Sequence, residues 1–331
     1  MTVRFGLLGA GRIGKVHARA VASNPDADLV AVADAMAPAA QDIARAYAAE
    51  VRTVEEIEHA SDIDAVVICT PTDTHADLIE RFSRAGKAVF CEKPIDLDAA
   101  RVKACLKVVD ETNATLMVGF NRRFDPHFMA VRQAIDENQV GEVEMVSITS
   151  RDPGPPPLDY IGRSGGIFRD MTIHDFDMAR FLLGEEPVSV SAHASVLVDS
   201  GIGKAGDYDS VSVILSTASG KQCVISNSRR ATYGYDQRIE VHGSDGMVAA
   251  ENQRPVSIEL ANARGYTRPP LHDFFMTRYT QAYANEIAHF IEALSNKTPA
   301  TPSGRDGLLA LQLADAALRS VKEQRTVEVE G

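Results

Sequence analysis

Cysteine is scarce in this 331-residue chain, and positive charge is in deficit, with 34 lysines and arginines against 46 aspartates and glutamates. The four cysteines, Cys69, Cys91, Cys105 and Cys223, form no CxxC pair and show no metal-ligand spacing. Cys69 and Cys91 fall in apolar, strand-like runs and read as buried thiols, so the compartment reads as reducing and cytoplasmic. The formal net charge of −12 argues against a nucleic-acid partner, which requires a basic face to meet phosphates. No hydrophobic run approaches the length of a membrane span, so no membrane partner is expected. The opening run Met1–Gly9 is too short for a signal peptide and reads as a strand. What remains is an ordinary globular composition, 45% hydrophobic and 24% charged, in a chain long enough for two domains.

The first informative stretch follows at once. Val3–Leu8 is a short apolar strand, Gly9-Ala10-Gly11-Arg12-Ile13-Gly14 comes next, and a helix runs on through Ala22. A strand, a GxGxxG turn and a helix form a dinucleotide-binding arrangement: Gly9 permits the tight turn, Gly11 lets a pyrophosphate approach the backbone, and Gly14 lets helix and strand pack closely. The helix N-terminus then offers free N–H groups to the phosphates. A second strand, Leu29–Ala33, ends at Asp34, 20 residues after Gly14, where a carboxylate can bond ribose hydroxyls and would repel a 2′-phosphate. No arginine follows it in Ala35–Pro38, so the residues favour NAD over NADP. The alternative for Asp34 is that it caps the next helix.

The alternation continues with strands at Ala65–Cys69, Lys87–Cys91 and Thr115–Phe120, separated by helices at 76–85 and 97–113. This rhythm predicts a doubly wound parallel sheet, whose ligands bind beyond the carboxyl ends of the strands. Thr70, Pro71, His75, Glu92, Lys93, Asn121 and Arg122 all fall there. His75 reads equally as a cofactor neighbour or as a helix cap. From residue 121 onward, alternating apolar and polar runs at 142–149, 189–198, 210–216, 222–228 and 237–242 predict a mainly antiparallel sheet, with amphipathic helices at 278–294 and 305–321. The expected organisation is therefore α/β: an N-terminal Rossmann domain over 1–120, and an α/β domain with a large open sheet over 121–331.

Within the second domain, Gly165 and Gly166 precede a run in which Ile167, Phe168 and Met171, then Met178, Phe181 and Leu182, recur at helical spacing. Asp170 and His174 would then share one helix face, where a carboxylate can orient an imidazole and stabilise its protonated form, as a general base requires. The plain alternative is an ion pair on a solvated helix, and Asp177 reads as a solvated or paired helix residue.

Taken together, Gly9–Gly14, Glu92-Lys93-Pro94 at a strand end, and Asp170-xxx-His174 resemble the glucose–fructose oxidoreductase / inositol dehydrogenase superfamily. The runs Gly166–Phe181, Gly119–Asp125 and Ser150–Pro153 resemble its inositol 2-dehydrogenase branch. The resemblance covers essentially the whole chain. It implies NAD-dependent oxidation of myo-inositol to 2-keto-myo-inositol, a step of inositol catabolism, with Lys93, Asp170 and His174 as the catalytic trio. His174 would be the base, Asp170 its orienting partner and Lys93 the group that stabilises the alkoxide. Cofactor contacts are expected from Gly9, Gly11, Arg12, Ile13, Gly14, Asp34, Thr70, Pro71, His75, Glu92 and Lys93. Substrate contacts are expected from Asn121, Arg122, Asp152, Asp170, His174 and Tyr235. Lysine and histidine cover the electrophile and base roles, so no metal is required. The resemblance also implies a homotetramer formed through the open sheets. A dehydrogenase of scyllo-inositol, glucose or another sugar remains open, as does a non-catalytic NAD-binding regulator.

Overall fold

The computed structural model describes residues 2–330. The chain divides into two compact units, Met1–Phe124 with Gln281–Leu311, and Asp125–Thr280 with Gln312–Gly331.

Among the described residues, the first unit holds a six-stranded parallel sheet. Its strands are β1 (Val3–Leu8), β2 (Ala27–Ala33), β3 (Glu50–Val51), β4 (Ala65–Ile68), β5 (Ala88–Glu92) and β6 (Leu116–Gly119), in the order β3-β2-β1-β4-β5-β6. Strands β1, β4, β5 and β6 are buried along nearly their whole length, which is why they read as continuous apolar runs and not as alternating ones. The helices Arg12–Ala22, His75–Arg84 and Ala99–Thr112 make the crossovers. The Gly9–Gly14 turn, Asp34, Thr70, Lys93 and Asn121 each follow the carboxyl end of a strand, where the topology opens a ligand crevice.

One departure from a simple cut at residue 120 concerns the C-terminal segment. Ile287, Phe290, Ile291 and Ala293 of the helix Thr280–Asn296 join the core built by Phe5, Leu7, Val67 and Phe90. The Phe290 ring stands 6.3 Å from that of Phe5 and 5.9 Å from that of Phe90. Segment 281–311 therefore belongs to the first unit, because its apolar stripe is buried against the β1 and β5 side chains.

The second unit contains a seven-stranded sheet. It is built from β7 (Val143–Arg151), β8 (Pro187–Ser195), β9 (Ser210–Thr217), β10 (Gln222–Ser228), β11 (Asp236–Gly243) and β12 (Gly246–Ala250), and is closed at one edge by Val327–Glu328. All pairings are antiparallel except β7 with β10. One face carries Val146, Ile148, Val211, Val213, Leu215, Cys223, Ile225, Ile239 and Val241, all buried. The helix Ile173–Leu183 packs over β7 and β10. The opposite face presents Met145, Ile214 and Val224 among serines and threonines.

The stretch from Ile167 is not a regular amphipathic helix. Phe168–Thr172 forms a π-helical turn, and the α-helix begins at Ile173. The four-residue step from Asp170 to His174 thus crosses a π–α junction. Wide turns of this kind insert one extra residue per turn and recur at functional sites. The helix Ile173–Leu183 is buried on nearly every side, including Asp175 and Asp177. Asp177 is therefore not solvated; it lies 3.7 Å from the Arg180 guanidinium.

Candidate functional site

The glycine turn shows three different uses of one residue type. Gly9 adopts φ +97°, and a Cβ there would lie 2.5 Å from the Cys69 carbonyl oxygen. At Gly14 a Cβ would lie 2.0 Å from the Gly9 carbonyl oxygen, so helix and strand can touch only without a side chain. A Cβ on Gly11 would meet nothing within 4 Å. Gly11 is also the N-cap of the helix Arg12–Ala22, which has no side-chain cap and no acidic residue in its first turn. Its first N–H groups thus have no side-chain cap, and its positive dipole end suits an anion. Arg12 is exposed and Ile13 half-buried at the same turn. These features fit a dinucleotide.

Asp34 sits beside this turn. Its Oδ2 accepts the Ala10 N–H at 2.6 Å, and its Oδ1 accepts the Met36 N–H at 2.6 Å. The N-cap of the following helix is Met36, without a side-chain cap, so Asp34 is not that helix's cap. It fixes the glycine turn instead, and it stands where a ribose-binding acid belongs. Cys69, directly after β4, is buried; burial, then the Glu92 charge, pushes its thiol well above the ordinary range, so it stays neutral. All four cysteines are free and buried.

At the neighbouring strand ends, Thr70 bonds the Thr74 hydroxyl at 2.7 Å, and Pro71 is exposed. His75 is buried. Its Nδ1 lies 2.8 Å from the Pro94 carbonyl oxygen and its Nε2 lies 2.8 Å from the Thr70 carbonyl oxygen. The ring therefore ties the end of β4 to the turn after β5, a role that spacing along the chain does not announce. Lys93 is half-buried, directly after Glu92 and before Pro94. Asn121 and Arg122 are buried in a short helical turn after β6.

The second unit positions Asp170 through partners that no local motif announces. Tyr160 donates its hydroxyl to Asp170 Oδ1 at 2.9 Å, and both terminal nitrogens of Arg229 lie 3.2 Å from Oδ2. Arg229 is only 1% exposed and also lies 3.7 Å from Asp207. Asp207 in turn accepts the Ile167 N–H at 2.9 Å, and a Cβ on Gly166 would come within 2.8 Å of its Oδ1. The start of the π turn and the Asp170 carboxylate are thereby fixed by one buried guanidinium. Next to His174, Asp175 is fully buried and receives Ser150 Oγ at 2.6 Å and Asn227 Nδ2 at 2.8 Å. This anchors the first turn of the His174 helix to β7 and β10. Asp152 donates its backbone N–H to the Ser228 carbonyl at 2.9 Å. Tyr235 is buried, its ring 6.0 Å from those of both Phe274 and Tyr279.

Comparison with known proteins identifies the family. Residues 3–120 match the model of an oxidoreductase family with an NAD-binding Rossmann fold, and residues 128–249 match the GFO/IDH/MocA C-terminal domain. The chain is 78% identical to an inositol 2-dehydrogenase of Rhizobium meliloti (strain 1021), over 99% of this chain and 100% of that protein. It is 43% identical to a myo-inositol 2-dehydrogenase of Thermotoga maritima, over 99% of both chains. A crystal structure of scyllo-inositol dehydrogenase from Lactobacillus casei, holding NAD(H) and scyllo-inositol, superposes with a TM-score of 0.92 at 28% identity, over 99% of each chain. The chain therefore belongs to the GFO/IDH/MocA family of NAD-binding oxidoreductases, on its inositol dehydrogenase branch.

Proposed function

We propose that the protein oxidises myo-inositol to 2-keto-myo-inositol (scyllo-inosose), with Lys93, Asp170 and His174 as its catalytic residues. NAD, when bound, supplies the hydride acceptor. Gly9, Gly11, Arg12, Ile13, Gly14 and Asp34 would hold it, with Thr70, Pro71, His75, Glu92 and Lys93 at the adjoining strand ends. His174 takes the proton of the reacting hydroxyl, a role that contributes on the order of 10²- to 10⁴-fold in such reactions. Asp170 stabilises the resulting imidazolium, and the Lys93 ammonium stabilises the developing alkoxide. Asn121, Arg122, Asp152 and Tyr235 supply polar groups for the remaining hydroxyls of a cyclic polyol.

The observation that supports this reading most strongly is the fixed Asp170–π-turn–His174 segment, held by buried Arg229 and Asp175, in a chain so similar to inositol 2-dehydrogenases. Lys93→Ala and His174→Ala should each lose turnover while NADH binding, followed by fluorescence, persists. Wild-type turnover in both variants would remove the mechanism. The Lactobacillus casei neighbour keeps a second reading in view, in which scyllo-inositol is the better substrate.

The outer sheet face supports a homotetramer. Ile214 and Val224 are direct cross-strand neighbours there, 46% and 38% exposed, and Met145 is 45% exposed on the adjoining strand. Apolar side chains grouped on an exposed sheet face mark a surface for association. Light scattering should give about four times the 35.7 kDa chain mass, and a value of 35.7 kDa would refute the assembly. The free, buried cysteines suit a reducing cytoplasm. No described helix is long and apolar enough to cross a membrane.

A further inference from the structure

Three ionisable side chains meet inside the first unit, away from any role so far assigned to them as a group. His17 Nε2 lies 2.6 Å from Glu92 Oε1 and 4.0 Å from Glu286 Oε1. His17 and Glu286 are fully buried and Glu92 is 9% exposed. The imidazole is enclosed by the rings of Phe90 and Tyr283, at 5.0 and 5.5 Å. Neither carboxylate oxygen of Glu286 has a hydrogen-bond partner among the described residues. Burial first, and the Glu92 charge second, raises the Glu286 carboxyl well above the ordinary range. Glu286 is thus held toward its neutral form, beside the short hydrogen bond between His17 Nε2 and Glu92 Oε1.

A metal ion is a poorer occupant of this cluster than a proton. Nitrogen and oxygen ligands stand about 2.0–2.2 Å from a transition metal, so two of them on one ion are roughly 3 Å or more apart. The 2.6 Å His17–Glu92 separation is that of a short hydrogen bond.

The location gives the cluster its meaning. His17 lies on the helix that starts at the glycine turn, and Glu92 is the residue before Lys93. Gly119 faces Glu92 across the β5–β6 pair, where a Cβ would come within 3.2 Å of the Glu92 carboxyl carbon. On the other side of Lys93, the Pro94 carbonyl is held by His75. Both chain neighbours of Lys93 are therefore fixed by buried imidazoles.

We propose that His17, backed by Glu286 and bonded to Glu92, is a positioning residue for Lys93: it locks the phosphate-cradling helix to the strand end that carries the lysine and so sets the lysine's place relative to the cofactor cradle. This rests on the catalytic reading of Lys93. A displacement of about 1 Å in such a group can cost on the order of 10²-fold in rate.

The test compares His17→Leu and His17→Gln, each in the wild-type and the Lys93→Ala backgrounds, by initial rates of NADH formation from myo-inositol and by NADH fluorescence titration. His17→Leu should lower kcat about tenfold or more, in keeping with that geometric sensitivity, with the NADH Kd changed less than about threefold. His17→Gln, whose amide N–H can reach Glu92, should recover most of the loss. In the Lys93→Ala background, His17→Leu should change the residual rate less than about twofold, because both changes act through one group. Gly119→Ala, which presses on Glu92 from the next strand, should lower kcat without unfolding the protein and carries the test if His17→Leu does not fold. Wild-type kcat in His17→Leu or Gly119→Ala overturns the proposal, as does an equal fold-loss in the Lys93→Ala background, or no recovery with glutamine. Wild-type turnover in Lys93→Ala alone identifies a different failure, that of the catalytic reading of Lys93.

Discussion

The glycine turn makes a sharp prediction, because its three glycines should fail in different ways. In Gly14→Ala the new Cβ would sit 2.0 Å from the Gly9 carbonyl oxygen and 2.9 Å from its carbon. Both are backbone atoms, so no side chain can swing aside, and the helix must back away by more than an ångström. Overpacking against rigid surroundings costs about 3 kcal/mol, which for a domain of this size lowers Tm by about 6–12 °C. Gly9→Ala adds a methyl 2.5 Å from the Cys69 carbonyl oxygen at φ +97°, and should cost at least as much. Gly11→Ala differs. Its φ of −69° suits alanine and its Cβ meets nothing within 4 Å. The loss of a favourable N-cap residue and the reduced freedom of the unfolded chain are each worth about 0.5–1 kcal/mol and oppose one another. Its Tm should therefore stay within about 2 °C of wild type, since their balance is at most about 0.5 kcal/mol. The methyl would instead occupy the space a pyrophosphate needs, and a tenfold rise in NADH Kd corresponds to about 1.4 kcal/mol. Circular dichroism melts without cofactor and NADH fluorescence titrations separate the two effects. A Gly11→Ala protein that melts as early as Gly14→Ala, or that binds NADH with wild-type affinity, would refute the assignment of these roles.

Three further perturbations follow from buried ionisable groups. Asp209 accepts the backbone N–H groups of Leu197, Val198 and Asp199 at 2.7, 2.8 and 3.0 Å, and these bonds outweigh the burial that opposes ionisation and hold its carboxyl below the ordinary range. Asp209→Asn should cost about 3 kcal/mol near neutral pH; because the folded pKa is depressed, that gap is fully present above about pH 4 and shrinks as pH falls through the folded value, which denaturant titrations at several pH values would show. Glu286 has the opposite sign, with His17, Glu92 and Cys69 facing it: the folded state keeps a proton that the unfolded chain releases above about pH 4.3, so stability falls by about 1.4 kcal/mol per pH unit until the folded pKa is reached. Glu286→Gln should remove that fall in stability above about pH 4.3, and parallel wild-type and variant profiles would contradict it. Arg229→Met strands Asp170 and Asp207 and should cost about 3–5 kcal/mol, whereas Arg229→Lys should restore stability in thermal melts more fully than it restores kcat, because lysine cannot fork to both carboxylates.

Features carried by residues close together in the chain are legible in the sequence itself. The strand–glycine-turn–helix unit, Asp34 at the end of β2, and Lys93 at the end of β5 all follow from periodicity and spacing, and the strand order β3-β2-β1-β4-β5-β6 matches the doubly wound expectation. What escapes such a reading is set by distance along the chain. Arg229 reaches Asp170 across 59 residues, and Glu286 joins His17 only once the C-terminal helix packs on β1 and β5. The sequence holds a faint signal for that second contact, since Glu286 falls on the same helical face as Ala282, Tyr283, Ile287 and Phe290, where an acid is out of place. The π turn at Phe168–Thr172 is hidden for another reason: over five residues, apolar spacing cannot distinguish 3.6 from 4.4 residues per turn. The Asp175 anchor and the buried Asp177 are likewise hidden, because charged residues normally mark a solvated face and here they are enclosed by the sheet and by Arg180.

The most direct test of the central claim is the initial rate of NADH formation at 340 nm with myo-inositol, scyllo-inositol and D-glucose, each with NAD and with NADP. Myo-inositol with NAD should give the highest kcat/KM, which would support the substrate assignment and the role of Asp34 together. Preference for scyllo-inositol or glucose would contradict the substrate while leaving the mechanism in place, and activity with NADP alone would contradict the reading of Asp34.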